Sequence, residues 1–241
     1  MSLTHTTLSL FFVLFIGNVS HAQLSYSDID MDAIPFRKVR SYLDQQQQNA
    51  HIEHLADLKT SCDGMHDLGD FFAYKKTYRV KAEKWKVWET YKNASPTQSW
   101  TNRKSTCAMV YERNKDRVVY PEGKIEGIEQ GQVLFMDLKL IKGLYHLATA
   151  FEITKVEDEL GVIQIDYTEA GLNQGMQVIR MMDTEDGYTL IEHASFIRSG
   201  HQVRDRYLYP FFHNKLINAF HRKMRRMVYD ESMLMKDQAL R

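Results

Sequence analysis

His51, His54, Cys62 and His66 crowd one short stretch of the chain, with Asp67 and Asp70 beside them. Imidazole and thiolate are zinc ligands, and two histidines three positions apart share one face of a helix. Cys62 or His66 would complete a ligand set. The spacing matches none of the recurrent zinc patterns, so the competing reading is solvated histidines beside a structural cysteine. The other cysteine is Cys107. A Cys62–Cys107 bond would close a loop of about 45 residues and tie the N-terminal part to the rest. Sequence leaves both states open, a single disulfide or two thiols.

Motifs for covalent, phosphoryl or hydride chemistry are missing: the chain has no G-x-S-x-G, no H-E-x-x-H, no P-loop and no G-x-G-x-x-G. Carboxylates on strand-like segments are Asp137, Glu152, Asp166, Glu169 and Glu192. Any of them could serve as acid or base inside a cavity, where burial raises a carboxyl pKa. Alternation puts Glu152 and Asp166 with the polar set, which is expected to be solvated. His193 shares parity with Ile191 and Ile197 and is expected to point inward, as a core or a reactive group. No residue is assigned a catalytic role, and no metal or cofactor is assigned.

Those residues must be placed by the elements around them. Hydrophobic residues make up 44% of the chain and aromatics 12%, enough for a packed core. Lys plus Arg number 31 and Asp plus Glu 31, so the net charge is zero and gives no general attraction to nucleic acid. Leu8 to Gly17 is apolar apart from Ser9, too short to span a bilayer, and is followed by Ser20-His21-Ala22. Residues 1–22 therefore read as a cleaved export signal, which implies a periplasmic or extracellular protein, with an uncleaved anchor or a buried strand as the competing readings. No Lys or Arg precedes Leu8, and no lipid-anchor Cys follows the run.

Residues 23–70 read as a helical extension. Ser25, Ser27 and Asp28 offer caps, Pro35 marks a boundary, and Val39, Tyr42, Leu43, Ile52, Leu55 and Leu58 follow helical spacing. From Phe71 the period becomes two. Tyr74 to Val80 is a strand, Ala82 to Asn93 a short helix with Trp85, Trp88 and Tyr91 near one face. Strand-like segments follow at Cys107–Asn114, Arg117–Tyr120, Val133–Leu140, Leu147–Thr154, Val162–Glu169, Met176–Asp183 and Tyr188–Ile197, joined by Gly-, Asn- and Asp-containing turns. A long helix from about Pro210 to Val228 carries Phe212, Leu216, Ala219, Phe220, Met224, Met227 and Val228 as a stripe. Residues 230–241 form a tail. Lys215, Arg222, Lys223, Arg225 and Arg226 give the helix a basic face, either an ordinary solvated face or a contact for an anionic membrane surface.

Strand, short helix, antiparallel meander and long terminal helix is an order that resembles the START-like, or Bet v 1-like, helix-grip superfamily. Locally, Val80-Lys81-Ala82, Val87-Trp88-Glu89-Thr90-Tyr91-Lys92-Asn93 and Trp100 resemble that family's opening. The resemblance covers about residues 71–229. The N-terminal helical segment and one extra residue before Val87-Trp88 depart from it. It implies an α+β fold, with a curved sheet wrapped around the C-terminal helix and an apolar cavity between them. It also implies binding of a lipid, sterol or other hydrophobic molecule; a few members are cyclases or hydrolases.

The expected architecture is thus a helix-grip domain over 71–229 with a helical extension. The expected function is binding of a hydrophobic small molecule or lipid, with Trp88, Tyr167, Met182, Phe212, Leu216 and Phe220 around it. Leu147, Thr149, Phe151, Ile153, Ile163, Ile165 and Tyr167 alternate with outward residues and should face the helix. Met176, Met182, Met224 and Met227 would add adaptable thioethers. Two alternatives stand beside it. A cavity with two converging ionisable groups would favour an enzyme on this scaffold, and a filled core would favour a structural or interaction protein.

Overall fold

The computed structural model describes residues 23–50, 52–63, 68–169, 171 and 173–239. The expected export signal, His51 and His66 lie outside the described residues.

Eight strands form a single antiparallel sheet: β1 (Phe72–Val80), β2 (Ser105–Glu112), β3 (Arg117–Val119), β4 (Gln132–Leu140), β5 (Tyr145–Glu157), β6 (Val162–Tyr167), β7 (Gln174–Asp183) and β8 (Thr189–Arg198). Their spatial order is β1-β8-β7-β6-β5-β4-β2-β3. The eight segments expected from alternation are these strands. Register slips at Cys107/Met109 in β2 and at Ile153/Lys155 in β5 mark bulges, which bend a strand and increase its twist. Gly175 of β7 has φ 135°, and a Cβ there would meet the Phe196 carbonyl oxygen at 1.9 Å, so only glycine fits.

Helices α1 (Arg37–Ala50), α2 (Lys84–Asn93), α3 (Pro96–Ser99) and α4 (Tyr209–Ala239) complete the fold. On α2, Val87, Trp88 and Tyr91 are buried, whereas Trp85 is exposed rather than sharing their face. The terminal helix begins earlier and ends later than its sequence pattern suggested. Winding starts at Gln202, passes through a π-turn at Arg204–Leu208 and continues to Ala239. Pro210 lacks an N–H, and its ring would clash with the carbonyl four residues back in a regular helix. The wider π-turn directly before it removes that conflict.

The sheet carries a buried core on each side, the outer one limited to part of its width. Beneath α2, α3 and α4, Leu134, Met136, Phe151, Ile153, Ile165, Ile179, Met181 and Ile191 pack with Trp88, Phe220, Met224 and Val228. This is the helix-grip arrangement of curved sheet and long C-terminal helix. On the opposite face, Met109, Tyr111, Val133, Phe135 and Ala150 pack with Tyr26, Ile34, Val39, Leu43 and Leu55 of the N-terminal extension. A solvated outer face was the expectation, and here the extension covers it over β2, β4 and β5. Ser25 caps the first turn of the extension in a capping box with Asp28, as its sequence suggested. Arg113 holds the extension down through Ala56 O at 2.5 Å, Leu58 O at 2.8 Å and Glu152 at 2.7 Å.

That cover corrects two readings. Glu152 and Asp166 do face away from α4, but they are not solvated. Glu152 is ion-paired to Arg113, and Asp166 is buried, which pushes its carboxyl above the usual range. The two cysteines are free thiols. Cys107 lies in the core beneath the helices, where burial pushes its thiol up to about 12. Cys62 sits in a turn within the extension, near Ser61 and Asp166, and the disulfide does not form. His54 forms an isolated bridge with Ser25. Among the described residues, no three His, Cys, Asp or Glu side chains converge on a metal position.

Candidate functional site

Between the ends of β4, β5 and β6 and the first turns of the terminal helix lies a cavity of about 340 Å³. Leu138 and Leu140 of β4, Leu147 of β5, Leu208, and Phe212 and Leu216 of α4 supply its apolar walls. Thr149, Tyr167, Tyr209 and His213 line its inner side, with Asn173 and Arg204 at its edge. Tyr145 also lines it, and both Tyr145 and Leu208 are about half exposed. A smaller recess of about 40 Å³ adjoins it, bounded by Trp100, Met136, Phe151, Gln177 and Ile217, and shares Leu138, Thr149, Tyr167, His213 and Leu216 with it.

Behind this recess the core is polar. Tyr91 Oη lies 2.8 Å from His221 Nδ1, and His221 Nε2 lies 2.8 Å from His193 Nδ1. His193 Nε2 and His213 Nε2 both donate to Gln177 Oε1, at 2.9 and 3.0 Å. The Gln177 amide donates to Tyr167 Oη at 3.1 Å, and Tyr167 Oη meets Tyr209 Oη at 3.0 Å. Because Gln177 Oε1 can only accept, each imidazole bonded to it carries its proton on Nε2 and offers Nδ1 as an acceptor. One direction of donation then runs Tyr91 to His221 to His193 to Gln177. His213 Nδ1 is the exception, buried with no partner among the described residues.

Burial fixes the charge state of this chain. It pushes His193 down to about 3, and holds His213 and His221 well below the ordinary imidazole value, with His193 adding to the effect on both. All three rings are neutral at pH 7. Burial also pushes Tyr167 up to about 12 and raises Tyr91 and Tyr209 above the ordinary phenol value. Burial thus keeps the three imidazoles and the three phenols neutral at pH 7.

The six residues expected around a ligand separate in space. Tyr167, Phe212 and Leu216 line the cavity. Phe220 lies further along α4, stacked on Trp100 with ring centroids 4.1 Å apart. Trp88 is a core residue whose Nε1 donates to Asp158 at 3.0 Å, and it does not line this cavity. Met182 points to the other side of the sheet: Gln177, Ile179 and Met181 form the inward set of β7. Met176 shares the outward parity of Met182. The inward glutamine hides that parity from any reading that follows only apolar residues.

Sequence reasoning placed His193 inward but missed Gln177, His213 and His221. Their signal lies in spacing rather than type. His213, Ile217, Phe220, Met224 and Val228 recur at helical intervals and are all buried. The basic face expected for this helix also divides. Lys215 lies over the Phe211 ring, Lys223 donates to Thr101 O at 2.8 Å, and Arg222 and Arg225 line a separate cleft beside β1.

No protein-family model matches the chain, and no curated protein matches it. Among solved structures it is similar to norcoclaurine synthase from Thalictrum flavum at 12% identity and a TM-score of 0.48, over 67% of this chain and 96% of that one. It is similar to major latex-like protein 151 from Panax ginseng at 10% identity and a TM-score of 0.47, over 65% and 97%. Protein NE0264 from Nitrosomonas europaea matches at 9% identity and a TM-score of 0.45, over 67% and 96%.

Proposed function

We propose that this chain binds a hydrophobic small molecule or lipid between the sheet and the start of α4, without transforming it. The observation that carries this reading is the cavity of about 340 Å³ walled by Leu138, Leu140, Leu147, Leu208, Phe212 and Leu216. Empty apolar volume of this size is uncommon in a close-packed protein and falls in the usual range for ligand pockets. The polar inner side formed by Tyr167, Tyr209 and His213 suits the single polar end of an otherwise apolar ligand. The titration positions support binding over catalysis. Neutral histidines far below pH 7 and phenols far above it make a poor acid–base pair.

Export belongs to the same reading. Leu8 to Gly17 followed by Ser20-His21-Ala22 supports removal of residues 1–22. N-terminal sequencing of the mature protein should begin at Gln23, and an intact Met1 in the cytosolic fraction would contradict it. Native mass spectrometry of protein purified from its own host tests the ligand. A bound apolar compound, released on denaturation, is the expected result. A single mass equal to the bare polypeptide, unchanged by added apolar compounds, would refute it.

A further inference from the structure

The most exposed large apolar side chains of the described residues are Leu144 at 87% and Val203 at 70%. They lie on two segments far apart in sequence, the turn between β4 and β5 and the first turns of the terminal helix. Both segments contribute walls to the same cavity, through Leu140 and Tyr145 on one side and Leu208 and Phe212 on the other. Ile141, Tyr207 and Phe211, on the same two segments, are exposed as well. Single exposed apolar residues need no explanation, but two convergent groups of them mark an interaction surface.

The exposed charges on these segments have one sign. Between 138 and 147 the charged residues are Lys139 and Lys142, and between 201 and 216 they are Arg204, Asp205, Arg206 and Lys215. Asp205, the one acid, is buried and accepts from Ser199 N at 2.7 Å. Lys142, Arg206 and Lys215 are exposed. Lys215 Nζ lies 3.7 Å from the centre of the Phe211 ring, and Arg206 lies over Tyr207 at 5.6 Å. Long cationic side chains alongside exposed aromatic rings can send the rings into an apolar layer while keeping their own charge in water. The chain as a whole carries no net charge, so this concentration is local.

We propose that the rim of the cavity docks on the surface of a bilayer containing anionic lipid. Leu144, Ile141, Val203 and Phe211 enter the interfacial layer, Tyr145 and Tyr207 sit at headgroup level, and Lys142, Arg206 and Lys215 meet lipid phosphates. A second copy of this chain fits less well, because a two-fold contact would bring the same cations face to face. No helix among the described residues is long and apolar enough to cross a membrane. The contact proposed is with the bilayer surface. It depends on the rim alone and not on what the cavity holds.

The test is co-sedimentation of the full chain with vesicles of phosphatidylcholine alone and of phosphatidylcholine mixed with phosphatidylglycerol. The chain should partition onto the mixed vesicles, bind less as salt rises, and bind phosphatidylcholine alone weakly. Leu144→Asp combined with Phe211→Asp changes only exposed positions, and should weaken partition by about tenfold or more with the thermal transition unchanged. Lys142→Glu should weaken it by a smaller factor. Leu216→Trp, which alters the cavity and not the rim, should bind vesicles like the parent. Failure to bind mixed vesicles would overturn the proposal, as would equal binding by the double variant. So would a concentration-dependent dimer that the double variant abolishes without any vesicle binding, since the rim would then join two copies.

Discussion

Both faces of the sheet carry a buried core, yet the two cores are built differently. Toward the N-terminal extension, Phe135, Val133, Met109 and Tyr111 meet Ile34, Val39, Leu43 and Leu55, and every one of these side chains has 0% exposure. Toward α4 the core contains a chain of neutral histidines, a glutamine and tyrosines, and beside it a largely apolar cavity. Dense apolar packing gains dispersion and transfer energy, whereas a cavity forgoes both. The helix side has dense apolar packing of its own around Leu134, Met136, Ile191 and Met224, and the difference between the faces lies in the polar chain and the cavity at one end of it.

The largest effect should come from the packed face. Phe135→Ala removes a fully buried ring and should cost about 3–5 kcal/mol in chemical denaturation. Leu147→Ala, on the wall of the cavity, should cost about 1 kcal/mol, because little new void is created there. Equal costs at the two sites would erase the contrast between the faces.

Next comes the polar chain. His193→Leu strands the Nε2–H of His221, while Gln177 Oε1 keeps its bond from His213, so one buried donor is left unpaired and a loss of about 1–3 kcal/mol is expected. His221→Leu should cost a similar amount, and the double variant should cost clearly less than the sum. Strict additivity would show that the two rings do not share one network.

The same histidines set a pH dependence of known sign. Their folded values lie below the ordinary imidazole value, so the folded state takes up protons less readily than the unfolded chain. The stability they permit is complete above about pH 6.5 and is lost as pH falls toward 3, by up to about 1.4 kcal/mol per pH unit for each ring. Urea midpoints should fall from pH 7 to pH 5, and fall less steeply in His193→Gln. A flat or rising midpoint over that range would mean that the rings are solvated.

Much of the fold could be read in the sequence because strands and turns obey local rules. Leu147, Thr149, Phe151 and Ile153 alternate as a curved strand requires, and the Asn-, Asp- and Gly-containing turns separate each strand from the next. The covering of the second face was less visible, although Met109, Val110 and Tyr111 and the run Val133 to Met136 are continuously apolar, which is the mark of strands buried on both faces. The site was legible only in part. Tyr167, Phe212 and Leu216 follow from apolar parity, but Gln177, His213 and His221 are polar residues at inward positions and become recognisable only when their partners are in place. Met182 fails for the same reason, since Gln177 disguises which face of β7 is inward.

The claim that matters most is that the volume beside Leu216 is held open for a ligand. Leu216→Trp decides it when thermal stability and bound apolar compound are measured on the same samples. The account predicts a thermal transition at or above that of the parent, with the compound found in the parent and missing from the variant. A variant destabilised by about 1–3 kcal/mol through overpacking, beside a parent that carries no apolar compound, would contradict it.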